Sequence, residues 1–193
     1  MLTCVFEKNN SKLLKGQFNF ENKEQFLQQL DNLPLIEHTI KIYNKEFLTP
    51  RKVGFFSNES AGYEYSGNIL PATRFDDYMF LQNIMEQVNL ITSSDFNAIL
   101  INCYRDGNDY IGPHSDDERS LGKSGVVTIS LGQERKFRIR DKSTKDILLD
   151  VIVKDGDVYH MTGEFQKHFT HEIPKQVAVK GKRYSLTFRK HLK

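Results

Sequence analysis

From residue 96 onward the apolar residues of this chain stop recurring at helical spacing. They fall instead into short runs of period two, at 96–104, 126–131, 136–140, 147–153, 157–161 and 184–189. Successive side chains of a strand point to opposite faces, so this pattern commits the segment to strands that each bury at least one face. Asp106-Gly107, Lys142-Ser143-Thr144-Lys145 and Asp155-Gly156 are turn signals between the runs, with no long linker among them. Many short strands joined by short turns bury their faces by stacking one sheet on another. Ahead of them, Phe26, Leu27, Leu30 and Leu33 predict an amphipathic helix over 21–33, ended by Pro34. A second helix is predicted over about 75–91, with Phe75, Met79, Phe80, Ile84 and Val88 on one stripe. Thr73 and Asp76 are spaced as its capping box. The fold class is α+β, with a sandwich or jelly-roll core.

The 193 residues suit a single domain, 1–193, large enough to enclose a ligand cavity. A formal charge of +2 means that any nucleic-acid surface is a local basic patch and not a property of the whole chain. Cys4 and Cys103 are the only cysteines, which argues against a disulfide framework or a cysteine-based zinc site. No apolar run approaches the roughly 18 residues of a membrane span, and the first residues lack a secretion signal pattern. The expectation is a reduced intracellular protein of nucleus or cytoplasm, not secreted, without membrane association and monomeric.

The last run carries a polar face. Arg183, Ser185, Thr187 and Arg189 share one side of the strand, and Tyr184, Leu186 and Phe188 share the other. Two arginines on one face of a buried strand call for an anion. Upstream, His114 and Asp116 are two residues apart on an extended segment, so both can reach one ion while Ser115 turns away. A second histidine, His168 or His171, would complete a two-histidine, one-carboxylate set that leaves open positions on iron(II). His171 is preferred because it opens His171-Glu172-Ile173-Pro174, a passage from strand to turn. Asn102 and Tyr104 share a strand face just before this set, and His38, His160 and His191 read as surface or packed residues. Lys136, Arg138 and Arg140 alternate with Phe137 and Ile139, as in a basic outer face or a charged edge strand.

Leu100 to Gly107, Ile111 to Arg119, His171, and Arg183 to Arg189 followed by Lys190 together resemble the AlkB family, nearest its mammalian DNA-repair branch. The resemblance runs from about residue 43 to 189, with five motifs in order. It implies a double-stranded β-helix and an iron(II)- and 2-oxoglutarate-dependent dioxygenase that removes alkyl groups from bases, with ascorbate as a supporting reductant. It implies His114, Asp116 and His171 as iron ligands and as the catalytic centre. Arg183 would meet the distal carboxylate of 2-oxoglutarate, Arg189 would lie by the chelating one, and Asn102 and Tyr104 would bond the same molecule. Ser185 stands where many relatives have Asn, a departure that weakens one expected hydrogen bond without removing the site.

The resemblance also implies that about 40–95 form a nucleotide-recognition lid with its supporting helix, and about 96–193 the jelly-roll catalytic core. Gly62-Tyr63-Glu64-Tyr65-Ser66-Gly67 resembles the segment that covers the base, with Tyr65 stacking on it opposite His114 and with Tyr63 and Ser66 beside it. Glu118 is the carboxylate expected to face a cationic alkylated base. The stretch between Ile40 and Lys52 resembles a duplex-probing hairpin, with Tyr43 as wedge and Lys41, Lys45, Arg51 and Lys52 at phosphates. Alkylated DNA is the expected partner, and alkylated RNA the alternative.

Overall fold

The computed structural model describes residues 1–42, 45–65, 68–117 and 124–192. In chain order it begins with two strands, β1 (Thr3–Lys8) and β2 (Ser11–Gln17), followed by helix α1 (Lys23–Asp31). Five strands follow: β3 (Thr39–Ile42), β4 (Lys45–Leu48), β5 (Lys52–Ser57), β6 (Gly62–Tyr65) and β7 (Asn68–Thr73). A 3-10 turn (Phe75–Asp77) leads into α2 (Met79–Thr92). The remainder is β8 (Ala98–Tyr104), β9 (Ile111–His114), β10 (Val126–Gly132), β11 (Arg135–Asp141), β12 (Ile147–Val153) and β13 (Asp157–Gly163), then the single turn α3 (Phe165–His168), β14 (Phe169–Ile173) and β15 (Arg183–Arg189).

Among the described residues the strands form a sheet of nine, in the order β1-β2-β13-β10-β15-β8-β5-β7-β6, a sheet of four, β12-β11-β14-β9, and the β3-β4 hairpin. Two apolar layers result. On one face of the large sheet, Phe26 and Leu30 of α1 and Leu81, Ile84, Met85 and Val88 of α2 pack on Ile99, Ile101, Ile129, Tyr184, Leu186 and Phe188. Between the sheets lie Tyr104, Ile111, Phe137, Ile139, Tyr159, Met161, Phe169 and Ile173. The alternation within β15 is thereby resolved: its aromatic and aliphatic parity faces the helices, and its polar parity lines the space between the sheets. All seven of its residues are buried.

The jelly-roll expectation is met, and the six predicted strands are all present. Several local expectations are corrected. The Thr73/Asp76 capping box is absent: Asp76 pairs with Arg74 at 2.6 Å, the backbone N–H of Phe75 donates to Asn58 Oδ1, and α2 begins only at Met79. Met79, the first residue of the helix, is exposed; Ile84 and Val88 are buried as expected, and Leu81 and Met85 complete the buried stripe. β11 is no edge strand, because it lies between β12 and β14. Its basic face is also neutralised: Arg138 meets Asp150 at 2.8 Å and Arg140 meets Glu172 at 2.8 Å. No described helix is long and apolar enough to cross a membrane.

Candidate active site

The site is assembled by strand register. In the small sheet His171 of β14 stands directly opposite His114 at the end of β9. Cross-strand neighbours on one face bring their side chains together, and the two imidazole centroids are 4.3 Å apart. Asp116 follows β9 by two residues and reaches the same point, with its Oδ2 3.4 Å from His171 Nε2. Donor atoms of His114, Asp116 and His171 all lie within 4.8 Å of one another. His168, the alternative third ligand, sits on α3 facing outward and pairs with Glu164 at 3.2 Å.

The large sheet supplies the opposite wall. Arg183, Ser185, Thr187 and Arg189 pair in register with Tyr104, Asn102, Leu100 and Ala98 of β8. On the other side Ser185 and Thr187 pair with Ser130 and Thr128 of β10. A polar floor three strands wide follows, within a cavity that also contains the histidine and aspartate cluster. Gly107 lets the loop after β8 pack against the segment between β14 and β15, since a Cβ there would strike the Gln176 carbonyl.

Electrostatics sort these groups into roles. The Arg189 guanidinium donates to Asp116 Oδ1 at 3.0 Å. Burial alone would raise the Asp116 pKa, but Arg189 and the two histidines outweigh it and hold the carboxyl far below its usual range. Burial and the neighbouring His171 push the His114 imidazole down to about 3, so it is neutral near pH 7. Its Nδ1–H donates to the Gly112 carbonyl at 2.9 Å, which leaves Nε2 as the free lone pair. The backbone N–H of Asp116 donates to Gln166 Oε1 at 2.9 Å.

Arg183 differs from Arg189. It is buried, its Nε donates to Ser130 Oγ at 2.8 Å, and its guanidinium lies 5.1 Å from the Tyr104 ring centroid. It has no carboxylate partner among the described residues, and its Nη1 has no hydrogen-bond partner there. Burial lowers its pKa to about 10, so the cation persists at neutral pH. A buried cation without a counter-ion beside a cavity fits an anionic ligand. His171 Nδ1 is likewise buried without a partner.

The predicted residues divide as follows. Asn102, Tyr104, Arg183, Ser185 and Arg189 line the cavity with the three proposed metal ligands. Ser185 Oγ is 2.9 Å from Thr128 Oγ1. Tyr63 also lines it, buried, stacked on Phe55 at 5.7 Å and lying 5.0 Å from the Arg189 guanidinium. Arg51 corrects an expectation: it is buried in the cavity wall and donates from Nε to Asn102 Oδ1 at 2.6 Å, so it is not an outer phosphate contact. Tyr43, Ser66 and Glu118 lie outside the described residues, and Tyr65 is described by its backbone alone. Sequence reasoning missed Gln166, Thr128 and Ser130. The last two were signalled by their alternation with Val127, Ile129 and Leu131.

Two packed sheets enclosing a two-histidine, one-carboxylate set beside a buried arginine without a carboxylate partner among the described residues are the arrangement a non-haem iron oxygenase with an anionic co-substrate calls for. The chain belongs to the 2OG-Fe(II) oxygenase superfamily, whose family model matches residues 12–189. Membership brings iron(II), 2-oxoglutarate and oxygen, and the donor set fits the metal as Arg183 fits the dianion. The AlkB resemblance is borne out among relatives. The chain is 32% identical over 161 residues to the Bos taurus protein named DNA oxidative demethylase ALKBH2, covering 79% of this chain and 57% of that one. An Arabidopsis thaliana protein of the same name is 26% identical over 196 residues, covering 88% and 62%. The Mus musculus alpha-ketoglutarate-dependent dioxygenase alkB homolog 3 is 33% identical over 118 residues, covering 56% and 41%. The chain thus spans about 60% of the length of the ALKBH2 relatives it matches. A solved structure titled OsALKBH1 aligns with TM-score 0.59 over 98% of this chain and 100% of that one, at 15% identity, and supports the fold.

Proposed function

We propose that this chain is an oxidative demethylase of N-alkylated bases of the 1-methyladenine and 3-methylcytosine type, acting on DNA by direct reversal of alkylation damage. One oxygen atom of O2 ends in succinate as 2-oxoglutarate loses carbon dioxide, and the other enters the methyl group. The hydroxymethyl carbon then leaves as formaldehyde, its bonding pair returns to the ring nitrogen, and the hydroxyl proton passes to solvent. Iron(II) with 2-oxoglutarate supplies that oxidising power when bound. The observation that carries the reading is Arg183, a buried guanidinium with no carboxylate partner among the described residues, in one cavity with His114, Asp116 and His171. The printed names of the relatives support the base as substrate.

His114, Asp116 and His171 would hold the metal. His114 offers Nε2 because Gly112 fixes its other nitrogen, and Arg189 keeps Asp116 ionised. Arg183 would take the far carboxylate of the co-substrate. Arg51 occupies the amide oxygen of Asn102, so Asn102 has its NH2 group to offer. Leu100, Ile111, Phe137, Met161 and Ile173 surround these groups with apolar surface and exclude water. Residues of about 40–95 would act as the lid, with Tyr43, Tyr63, Tyr65, Ser66 and Glu118 toward the base, in a monomeric protein of nucleus or cytoplasm.

Mass spectrometry of oligonucleotides carrying one 1-methyladenine or 3-methylcytosine tests this, using matched DNA and RNA with and without 2-oxoglutarate. Loss of the methyl group from DNA only with co-substrate is expected. Faster turnover of RNA would reassign the substrate, and no turnover by iron-loaded protein would sink the enzymatic reading.

A further inference from the structure

Among the described residues, the outermost strand of the large sheet connects to the metal ligands through the Arg189 guanidinium. Arg189 is completely buried and donates to Asp116 Oδ1 at 3.0 Å. The same guanidinium lies 5.0 Å from the ring centroid of Tyr63, which belongs to the edge strand β6. Tyr63 is in turn stacked on Phe55 of β5 at 5.7 Å and 26°. A desolvated cation against an aromatic ring is held by the ring's quadrupole as well as by packing. Guanidinium orientation also decides where its carboxylate partner sits, because the fork is planar and rigid. Phe55, Tyr63, Arg189 and Asp116 therefore make a continuous chain of contacts from the sheet edge to a metal-binding oxygen.

We propose that Tyr63 is a positioning residue for the Asp116 carboxylate, acting through Arg189, so that the metal site is fully formed only while β6 is seated. The inference rests on the metal reading above and adds to it a coupling between lid strand and ligand geometry. Coupling of this kind is reciprocal: seating the strand tightens the ion, and the ion tightens the strand.

The test is manganese(II) titration of the metal-free full chain by calorimetry, for wild type, Tyr63→Phe, Tyr63→Leu and Val88→Ala. The phenylalanine variant keeps the ring and is expected to bind within about twofold of wild type. The leucine variant should bind about tenfold more weakly, the scale of losing an outer partner of a metal ligand. Val88, buried in α2 against the far face of the sheet, reports general destabilisation, and its variant should bind as wild type does. Wild-type affinity in Tyr63→Leu, or an equal loss in Val88→Ala, would overturn the proposal. Hydrogen exchange on the wild type provides a second measurement that needs no variant: manganese should slow exchange at 62–65. Slowing confined to the ligand strands β9 and β14 would overturn it as well. Wild-type protein that takes up no manganese would overturn the metal reading, and this one with it.

Discussion

Replacing Arg183 by methionine should move stability and co-substrate binding in opposite directions. Burial, reinforced by the nearby Arg135 cation, lowers the Arg183 pKa from the usual arginine range to about 10. At about 1.4 kcal/mol per pH unit, holding this side chain charged costs the folded chain about 3 kcal/mol. The folded value lies below the unfolded one, so the cost is present throughout the neutral range and fades only as pH rises through about 10. Methionine removes it and sacrifices the bond to Ser130, worth about 1 kcal/mol. A net gain of about 2 kcal/mol corresponds, for a chain of this size, to a Tm higher by about 6 °C without ligand. Binding should suffer by contrast. Losing a charge-assisted, desolvated contact costs about 3 kcal/mol, which weakens 2-oxoglutarate more than a hundredfold. Thermal melts with and without 2-oxoglutarate, on manganese-loaded protein, read both effects, and calorimetric titration gives the Kd. A methionine variant that melts lower without ligand, or that keeps wild-type affinity for 2-oxoglutarate, would refute the reasoning.

His171→Ala should abolish metal uptake while His168→Ala leaves it intact, because only His171 faces His114 across the strands; metal content after dialysis distinguishes them, and uptake by His171→Ala would displace it from the ligand set. Gln166→Leu removes the acceptor for the Asp116 backbone N–H and should weaken manganese by about tenfold, with circular dichroism unchanged. Unchanged affinity would show that the turn is held without it. Burial pushes the His160 imidazole below its usual 6.5, and its Nε2–H donates to the Ser124 carbonyl. As pH falls through 6.5 the unfolded chain takes up a proton that the folded chain resists, so this contribution is level above that pH and destabilising below it. Urea midpoints at pH 7 and pH 5 should therefore drop less in His160→Gln than in wild type; equal drops would refute the assignment.

Legibility in the sequence followed burial. The strands of the jelly-roll half were readable because each must place one parity against an apolar layer, and in β15 the parity alone separated the helix-facing residues from the cavity floor. β1 and β2 were not readable. β1 is exposed along nearly all its length, and β2 gains its place by pairing with β13, a partner near the other end of the chain. Propensity encodes no such distant neighbour. The choice between His168 and His171 likewise depended on which of two nearby residues lies opposite His114, a matter of register. Arg51 and Lys52 read as one basic cluster, yet Arg51 turns inward to Asn102 while Lys52 is exposed. Adjacent residues at the start of a strand take opposite faces, and composition does not say which goes inside.

The central strand β15 also sets a length. It carries Arg183 and Arg189 at its two ends and is hydrogen-bonded along both flanks, by β8 and β10. At about 3.3 Å of rise per residue, their Cα atoms stand about 20 Å apart, and a strand paired on both sides neither stretches nor shortens. The two guanidinium arms extend inward from fixed posts, and the gap between them is a gauge. If Arg183 takes the far carboxylate as proposed, a diacid with a shorter carbon chain that reaches the Asp116 end would leave it unmet. On that reading, selection among diacids would be a measurement of span, made by the backbone before any side chain adjusts.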